Sequence, residues 1–341
     1  MAELRGGLVG CGFWARNHLH AWREVSGAEI VALCDLVGER ARTYAGEFAV
    51  AKAYTDLEAM LETESLDFVD VVTHPDAHRA AVEAVAASGL HVICQKPLAP
   101  SLEDAKAMVA ACDAAGVQSM VHENFRWQAP MRALKEAAAG LDDPFFCRVS
   151  FRSGVDVYTA QPYLATDPRF ILYDMGVHLL DLARFFVGEA EYLTCHTQRV
   201  NPRIRGEDVA TVLLRMAGGA TCCVEMSFAS TLEEDLFPQT LVHLETGDSS
   251  ATLGSHYRLT VTDDEGTRNV KLDLPGSDWM EPGFEVVQGS VVATQQHWAD
   301  CLHTDREPET TGRDNLRTLE LVFGAYESAE TGEVYRVGTA K

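Results

Sequence analysis

Residues 4–15 read LRGGLVGCGFWA, a short apolar strand pattern that runs directly into a glycine-rich turn. The turn, GCGFWA at residues 10–15, matches the pattern G-x-G-x-x-A and leads into a helix pattern. In such a turn Gly10 permits the tight bend, Gly12 lets the backbone approach a pyrophosphate, and the small Ala15 allows close packing of helix on strand. The free N–H groups at the start of the helix then attract phosphate. The stretch predicts a dinucleotide site, with a purely structural glycine turn as the alternative.

Strand and helix patterns alternate from this turn to about residue 124. Strands are predicted at residues 4–9, 29–34, 66–73, 91–94 and 118–122, and helices at 14–25, 77–88 and 101–115. Alternation at this spacing is typical of βαβ units and a parallel sheet. We therefore predict that residues 1–124 form a doubly wound Rossmann domain.

Beyond residue 124 the pattern changes to longer strands joined by turn residues. Strands are predicted at 145–151, 191–200, 208–216, 220–229 and 239–245, with a hairpin over 260–272 and helices at 173–187, 288–304 and 312–330. Strands that follow one another through short turns favour antiparallel pairing. Residues 125–341 are therefore expected to form a second α/β domain around a mostly antiparallel sheet.

The composition argues against several classes of partner. The 341-residue chain has a formal net charge of −23, and so acidic a surface repels nucleic-acid backbones and anionic lipid. The nine cysteines include no C-x-x-C pair, a usage typical of reduced thiols in a cytoplasmic protein. No apolar run approaches the length of a membrane span, and no signal-peptide core is recognisable. We expect a cytoplasmic location, with neither nucleic acid nor membrane as partner.

Asp35 follows the second predicted strand, 23 residues after Gly12. An acid at this place binds the adenosine ribose hydroxyls and repels a 2′-phosphate, which favours NAD over NADP. Arg40 and Arg42 keep NADP open as the less favoured cofactor. The alternative for Asp35 is a helix N-terminal acid stabilised by the helix dipole.

The histidines do not form a metal-ligand pattern. His18 and His20 are two residues apart, and His74 and His78 lack a third and fourth ligand in the sequence around them. Nothing matches the ligand spacing of a zinc site, so we expect no metal.

Two further patterns contain residue types suited to catalysis. The tripeptide Gln95-Lys96-Pro97 ends the fourth predicted strand, where a lysine beside a nicotinamide site can contact cofactor and substrate. Asp174 and His178 are four residues apart, so on a helix they share one face. The alternative for His178 is a satisfied core histidine.

Five motifs, in this order along nearly the whole chain, resemble those of the Gfo/Idh/MocA family of nicotinamide-dependent oxidoreductases. They are the glycine turn, Thr73-His74-Pro75 with His78, Gln95-Lys96-Pro97, His122-Glu123-Asn124-Phe125-Arg126 and Asp174-x-Gly176-x-His178-x-x-Asp181. One departs from the family pattern, which has Glu-Lys-Pro. Gln95 can still form hydrogen bonds with a cofactor, but it cannot neutralise Lys96.

The resemblance implies a Rossmann domain followed by a substrate-binding and oligomerisation α/β domain with an open, mostly antiparallel sheet. It implies that NAD(P) lies along the first domain and that the Lys96–Pro97 bond is cis. It also implies a sugar or polyol substrate and a homodimer or homotetramer formed through the outer face of the second sheet.

The resemblance further implies that Lys96, Asp174 and His178 carry catalysis. We hypothesise that His178 takes the hydroxyl proton while hydride leaves the same carbon for the nicotinamide. Lys96 would stabilise the developing charge, and Asp174 would orient the substrate or His178. Lys96 and His178 could exchange the roles of base and stabiliser.

Two sets of candidate binding residues follow. The predicted cofactor contacts are Gly10, Gly12, Phe13, Trp14, Asp35, Thr73, His74, His78, Gln95, Lys96 and Asn124. The predicted substrate contacts are Lys96, Arg126, Arg152, Tyr163, Phe170, Asp174 and His178, with Tyr158 and Gln161 in the same stretch. Packing is the alternative for Trp14, and bracing of the domain junction is the alternative for Asn124 and Arg126.

The function predicted is an NAD-dependent dehydrogenase that oxidises a sugar or polyol hydroxyl by hydride transfer. The Gly-Phe-Trp turn, the Gln-Lys-Pro variant and the His-Glu-Asn-Phe-Arg-Trp stretch are most similar to the family's branch of aldopentose dehydrogenases. That branch includes enzymes acting on D-apiose, and the product would be a lactone. The alternatives are an inositol or cyclic-polyol dehydrogenase, an NAD-dependent glycosidase and a non-catalytic dinucleotide-binding regulator.

Overall fold

The structure, a computed structural model, describes residues 3–141 and 143–338, which divide into two compact units. The first extends to Asn124 and also takes Asp278–Met280 and Gln288–Arg317. The second takes Phe125–Ser277, Glu281–Val287 and the described residues from Thr318 onward.

A parallel sheet organises the first unit. Among the described residues its strands are β1 (Leu4–Val9), β2 (Ala28–Cys34), β3 (Lys52–Tyr54), β4 (Phe68–Val71), β5 (His91–Gln95) and β6 (Ser119–His122). They lie in the order β3-β2-β1-β4-β5-β6, and every described pair is parallel. The order reverses direction at β1, which is the doubly wound arrangement predicted from the alternating patterns.

Helices connect these strands. They are α1 (Ala15–Trp22), α2 (Gly38–Phe48), α3 (Leu57–Thr63), α4 (Pro75–Ala87) and α5 (Leu102–Ala115). The Ser101 hydroxyl accepts the N–H of Asp104 and so caps α5. The sequence patterns missed β3 and its two neighbouring helices, because β3 has only three residues and no buried side chain.

The segment Gln288–Arg317 packs within the first unit, whereas the predicted domain boundary placed it in the second. Trp298 is fully buried, and its ring centroid is 6.4 Å from that of Phe68. The Thr310 hydroxyl donates to the Val121 carbonyl oxygen at 2.8 Å. Contacts between residues so distant in sequence leave no local pattern, which explains the difference.

A larger sheet organises the second unit. Its described strands are β7 (Phe146–Arg152), β8 (Ala190–Gln198), β9 (Val209–Met216), β10 (Thr221–Ser227), β11 (Leu241–Glu245), β12 (Ser250–Leu253), β13 (Leu259–Asp263), β14 (Gly266–Val270) and β15 (Tyr335–Arg336). The order is β14-β13-β12-β11-β7-β10-β9-β8-β15. Among the described pairs only β7 with β10 is parallel, so the mostly antiparallel sheet is confirmed.

The remaining helical elements complete the chain. They are a 3₁₀ turn (Phe125–Trp127), α6 (Ala129–Ala138), α7 (Tyr163–Thr166), a π-helical turn (Leu172–Gly176), α8 (Val177–Val187), a second 3₁₀ turn (Ser255–Tyr257), α9 (Glu285–Thr304) and α10 (Gly312–Thr331). Helix α8 packs on β7 and β10. It meets the face of β7 that carries Cys147, Val149 and Phe151, which are all buried.

Within residues 3–141 and 143–338, no helix combines the length and apolar character that a membrane span requires. The same residues contain no cluster of three or more His, Cys, Asp or Glu side chains placed to hold a metal ion.

Candidate functional site

The glycine turn joins the end of β1 to the start of α1 in the first unit. Gly10 has a φ of +96°, and a Cβ there would lie 2.6 Å from the carbonyl oxygen of Val72, so the fold itself requires glycine. Gly12 differs, because a Cβ there would meet no described atom within 4 Å. Packing therefore leaves open the space that a closely approaching pyrophosphate needs. The turn fits a bound dinucleotide.

The carboxylate of Asp35 lies against the same turn. Its Oδ2 accepts the N–H of Cys11 and its Oδ1 accepts the N–H of Val37, each at 2.7 Å. The hydroxyl of Tyr44, on α2, donates to the Gly12 carbonyl oxygen at 3.2 Å. The half-buried carboxylate has further acceptor sites for ribose hydroxyls. The contact with Val37, which immediately precedes α2, is the one expected if Asp35 is instead an acid that stabilises the N-terminus of that helix.

A buried carboxylate that the sequence analysis did not single out holds α1 to the sheet. Asp70, in β4, is fully buried; its Oδ2 accepts Trp22 Nε1–H at 2.7 Å and lies 2.8 Å from His18 Nδ1. The sequence signal that could have identified Asp70 is an acidic residue inside the apolar run FVDVV.

On the glycine turn itself, Phe13 is 61% exposed and Trp14 is half-buried. Their contact with the cofactor stays a prediction.

His78 has a structural role that replaces the cofactor contact predicted for it. The fully buried ring places Nδ1 3.0 Å from the Leu98 carbonyl oxygen and Nε2 3.0 Å from that of Thr73. Burial lowers the pKa of His78, and the two carbonyls offset part of that effect. Both ring nitrogens face the main chain, so His78 joins the segment after β4 to the segment after β5. Thr73 and His74 are half-buried and exposed, respectively, and their cofactor contacts stay predictions.

The Lys96–Pro97 peptide bond is cis, which confirms the prediction from the resemblance. Lys96 is half-buried directly after β5. Gln95 is 8% exposed, and its Oε1 has no hydrogen-bond partner among the described residues. A buried amide oxygen without a partner is rare in native proteins. Gln95 therefore has an acceptor available for the predicted cofactor contact.

The side chains of Asn124 and Arg126 each form hydrogen bonds within the unit to which the residue belongs. Asn124 is 2% exposed, and its Nδ2–H donates to Ser290 Oγ at 2.7 Å, which replaces the cofactor contact predicted for it. Arg126 is buried and forms a double hydrogen bond with the fully buried Asp181, through Nε to Oδ2 at 2.7 Å and through Nη2 to Oδ1. A guanidinium engaged in this way is part of the interior, so we no longer assign Arg126 to the substrate.

The predicted catalytic pair lies on one helical segment of the second unit. Asp174 is half-buried within the π-helical turn Leu172–Gly176, and His178 lies in the first turn of α8. Such π turns occur frequently at functional sites. His178 is 3% exposed, and its ring stacks on that of Phe125 with centroids 3.8 Å apart and planes 8° from parallel. The imidazole therefore has a defined orientation.

Tyr163 is the candidate substrate residue on which the charge of Asp174 acts. Its hydroxyl donates to Gln161 Oε1 at 2.7 Å. Partial burial raises the pKa of Tyr163, and the negative charge of Asp174 adds to the rise. Tyr163 thus stays protonated near Asp174 while 46% of the side chain is exposed, which suits hydrogen bonding to a polyhydroxylated ligand.

Two other predicted substrate residues are placed elsewhere. Arg152 alternates with the buried Phe151 along β7 and therefore points away from the face that α8 covers. Its guanidinium is 3.9 Å from the carboxylate of Glu225. Phe170 is 1% exposed and stacks on Phe228 at 5.5 Å. We assign Arg152 to the open sheet face and Phe170 to the core.

Comparisons with known proteins agree with this arrangement. The model of the oxidoreductase family with an NAD-binding Rossmann fold matches residues 4–123, and that of the GFO/IDH/MocA C-terminal domain matches residues 134–249. D-apiose dehydrogenase of Paraburkholderia graminis is 50% identical over 97% of this chain and 88% of its own length. D-apiose dehydrogenase of Rhizobium rhizogenes is 45% identical over 99% of each chain.

A solved structure of similar sequence shows the same fold. It is an oxidoreductase from Agrobacterium radiobacter in complex with NAD+, L-tartaric acid and magnesium, 46% identical over 99% of both chains with a TM-score of 0.96. The match extends across the glycine turn and the helical segment that carries Asp174 and His178.

Proposed function

This chain belongs to the GFO/IDH/MocA oxidoreductase family, and from that premise we propose that it is an NAD-dependent D-apiose dehydrogenase. The observation that carries the proposal is 50% and 45% identity to two proteins of that name over almost the whole chain. The substrate would be the ring form of the aldopentose, and the product its lactone.

The reaction removes a hydride from the anomeric carbon and a proton from its hydroxyl. Bound NAD supplies the hydride acceptor. The protein must then supply an acceptor for the proton and a donor that stabilises the negative charge developing on the oxygen.

We assign the proton to His178 and charge stabilisation to Lys96, with Asp174 orienting the substrate or the imidazole. Stacking on Phe125 supports this assignment, because it fixes the plane of the His178 ring and hence the direction of its nitrogens. The hydroxyl of Tyr163 donates to Gln161 Oε1 at 2.7 Å, and the charge of Asp174 contributes to the raised pKa of Tyr163. We assign this pair to the sugar's remaining hydroxyls.

The cofactor is NAD, in agreement with the family match over residues 4–123. Asp35 presents a carboxylate at the glycine turn, 2.7 Å from the Cys11 nitrogen. A 2′-phosphate at that position would meet its negative charge. We therefore assign Asp35 to the ribose hydroxyls and NADP to a minor role.

We further propose a cytoplasmic homodimer or homotetramer formed through the open face of the larger sheet, with nucleic acid not among its partners. All nine cysteines are free thiols, as expected in a reducing compartment. Leu213 and Tyr192, on β9 and β8, are 49% and 37% exposed, which is apolar area that association would bury. Light scattering on the purified protein tests the assembly, and a monomer would contradict it.

The substrate assignment is tested by NADH formation with a panel of D-apiose, other aldopentoses, aldohexoses and inositols, each with NAD and with NADP. The highest kcat/KM is expected for D-apiose with NAD, and the product should be the lactone or its hydrolysed acid. A higher kcat/KM for an inositol would identify a cyclic-polyol dehydrogenase instead. NAD binding without turnover of any compound would favour the regulator.

A further inference from the structure

The loop before β9 approaches the start of the helical segment that carries Asp174 and His178. A Cβ on Gly206 would lie 2.9 Å from both the nitrogen and the Cβ of Phe170. Only a residue without a side chain permits so close an approach. The loop therefore brings its next residue, Glu207, directly to the first turn of that segment.

Glu207 accepts the N–H groups of three successive residues there. Its carboxylate accepts the N–H of Phe170 at 3.3 Å and that of Leu172 at 3.0 Å. Its main-chain carbonyl accepts the N–H of Ile171 at 3.1 Å. The first N–H groups of a helix have no partner within the helix, and a negative charge is favourable at that end. A single residue thus caps the start of the segment.

The carboxylate of Glu207 is also held from the side of α10. Glu207 is 9% exposed, and its Oε1 also accepts the hydroxyl proton of Tyr326, on α10, at 2.7 Å. Burial raises the pKa of Tyr326 well above its usual value, and the charge of Glu207 adds to the rise. Tyr326 therefore remains a donor throughout the working pH range. Oε1 thus accepts from Phe170, Leu172 and Tyr326 together, which holds the carboxylate in place as a support for the segment.

The loop itself is held in place from its other side. Asp208 accepts the N–H of Val200 at 2.7 Å and that of Asn201 at 2.9 Å. Its main-chain carbonyl accepts the N–H of Phe228 at 2.8 Å. Displacement of Glu207 therefore requires several hydrogen bonds to break together.

We propose that Glu207 is a positioning residue for proton transfer, which sets the placement of Asp174 and His178 by capping the helical segment that carries them. The inference rests on the proposed function, because it takes Asp174 and His178 as the residues that act on the substrate. No part of it requires Glu207 to touch the sugar or the cofactor.

The test compares Glu207→Gln and Glu207→Ala with Glu189→Gln. Glu189 lies just beyond the C-terminal end of α8 and pairs with Arg184 at 2.8 Å, so Glu189→Gln makes the same substitution away from the proposed cap. We expect kcat to fall by about 10- to 100-fold in Glu207→Ala, the scale on which misplaced catalytic groups lose rate. We expect a smaller fall in Glu207→Gln, which keeps one acceptor oxygen, and no change in Glu189→Gln.

Isotope effects separate positioning from a general loss of structure. If His178 is displaced, proton transfer becomes slower relative to hydride transfer. The solvent deuterium isotope effect on kcat should then rise in Glu207→Gln, while the effect of deuterium at the anomeric carbon falls. The Kd for NAD should not change, because the glycine turn belongs to the other unit. Unchanged isotope effects, or a kcat equal to that of Glu189→Gln, would overturn the inference.

His178→Ala, assayed in parallel, distinguishes failure of the positioning role of Glu207 from failure of the proposed function. Near-normal turnover in His178→Ala removes the proposed catalytic role itself. Low turnover in His178→Ala with normal turnover in both Glu207 variants removes only the positioning role. If Glu207→Ala does not fold, Glu207→Gln alone decides the question by the same isotope measurements.

Discussion

The ring of Phe125 lies flat against the ring of His178, with centroids 3.8 Å apart and planes 8° from parallel. The next residue, Arg126, forms a double hydrogen bond with Asp181, one turn further along α8. The buried ion pair therefore fixes the 3₁₀ turn that carries Phe125, and Phe125 in turn fixes the imidazole. Arg126 acts on the site through this packing and not through the substrate.

Loss of the buried ion pair should destabilise the protein. Arg126→Met removes the double hydrogen bond to the buried Asp181 carboxylate and leaves it only the more distant Arg184 guanidinium, at 3.8 Å. We expect the free energy of unfolding to fall by about 3 kcal/mol, the lower end of the range for breaking a buried ion pair. Arg313→Met is the control, because Arg313 pairs with Asp113 at the surface with 67% of its side chain exposed, and such pairs contribute about 1 kcal/mol or less. Urea denaturation of both variants measures the difference. A loss below about 1 kcal/mol in Arg126→Met would contradict the structural role.

Removal of the proposed catalytic side chains should lower turnover and spare cofactor binding. Lys96→Ala and His178→Ala are each expected to reduce kcat by about 10²–10⁴-fold, the range for loss of general acid–base help. Lys106→Ala, at an exposed position of α5, is the matched control and should retain full activity. Steady-state kinetics and NAD titration provide the two readouts. Normal turnover in Lys96→Ala and His178→Ala would rule out the assignment.

The two glycines of the turn should respond differently to alanine. Gly12→Ala is expected to weaken NAD binding by about tenfold or more, corresponding to about 1.4 kcal/mol, with little loss of stability because no described atom opposes the new methyl group. Gly10→Ala should destabilise the fold itself, since its Cβ would meet the Val72 carbonyl at a φ of +96°. Gly46→Ala, in α2 with open space around it, should leave NAD affinity unchanged. Unaltered NAD affinity in Gly12→Ala would count against the phosphate site.

The charge of Asp35 should decide between the two cofactors. Asp35→Asn keeps an oxygen that can accept a main-chain N–H, but it removes the negative charge that disfavours a 2′-phosphate. We expect the ratio of kcat/KM for NAD to that for NADP to fall, with kcat for NAD little changed. Initial rates with both cofactors measure it. A preference of the unmodified protein for NADP would contradict the assignment.

His78 should make stability depend on pH on the acid side. Burial lowers its pKa in the folded protein, so below the unfolded pKa of about 6.5 the unfolded chain binds more protons than the folded one. The stabilisation is complete above that pH and is lost as pH falls towards the folded pKa. His78→Gln should therefore show a smaller fall in unfolding free energy between pH 7.5 and pH 5.5 than the unmodified protein. Equal falls in both proteins would show that another group is responsible.

Local patterns were sufficient for much of the fold. The glycine turn, the alternation of strands and helices before residue 124 and the turn-separated strands after it predicted the parallel and the mostly antiparallel sheet. They also placed Asp35 directly after β2, and the structure shows it accepting the N–H of Cys11 in the turn. Each of these features depends on backbone conformation and apolar periodicity over a few neighbouring residues, which the order of residues specifies directly.

Partners distant in sequence were not predictable in the same way. Arg126, Asn124 and Arg152 have residue types that suit binding, and the patterns around them do not distinguish a ligand from a buried partner or an open sheet face. The long-range contacts of Gln288–Arg317, which assign this segment to the first unit, have no local signal.

By itself, the sequence determined the fold class, the dinucleotide turn and the residue types available for catalysis, because these are properties of short segments. Only the tertiary structure decided that Arg126 pairs with Asp181, 55 residues away, and that Glu207 accepts the N–H of Phe170, 37 residues before it. The reason is physical: a buried charge must find a partner, and which partner is close enough depends on how whole elements pack and not on the residues beside it in the chain.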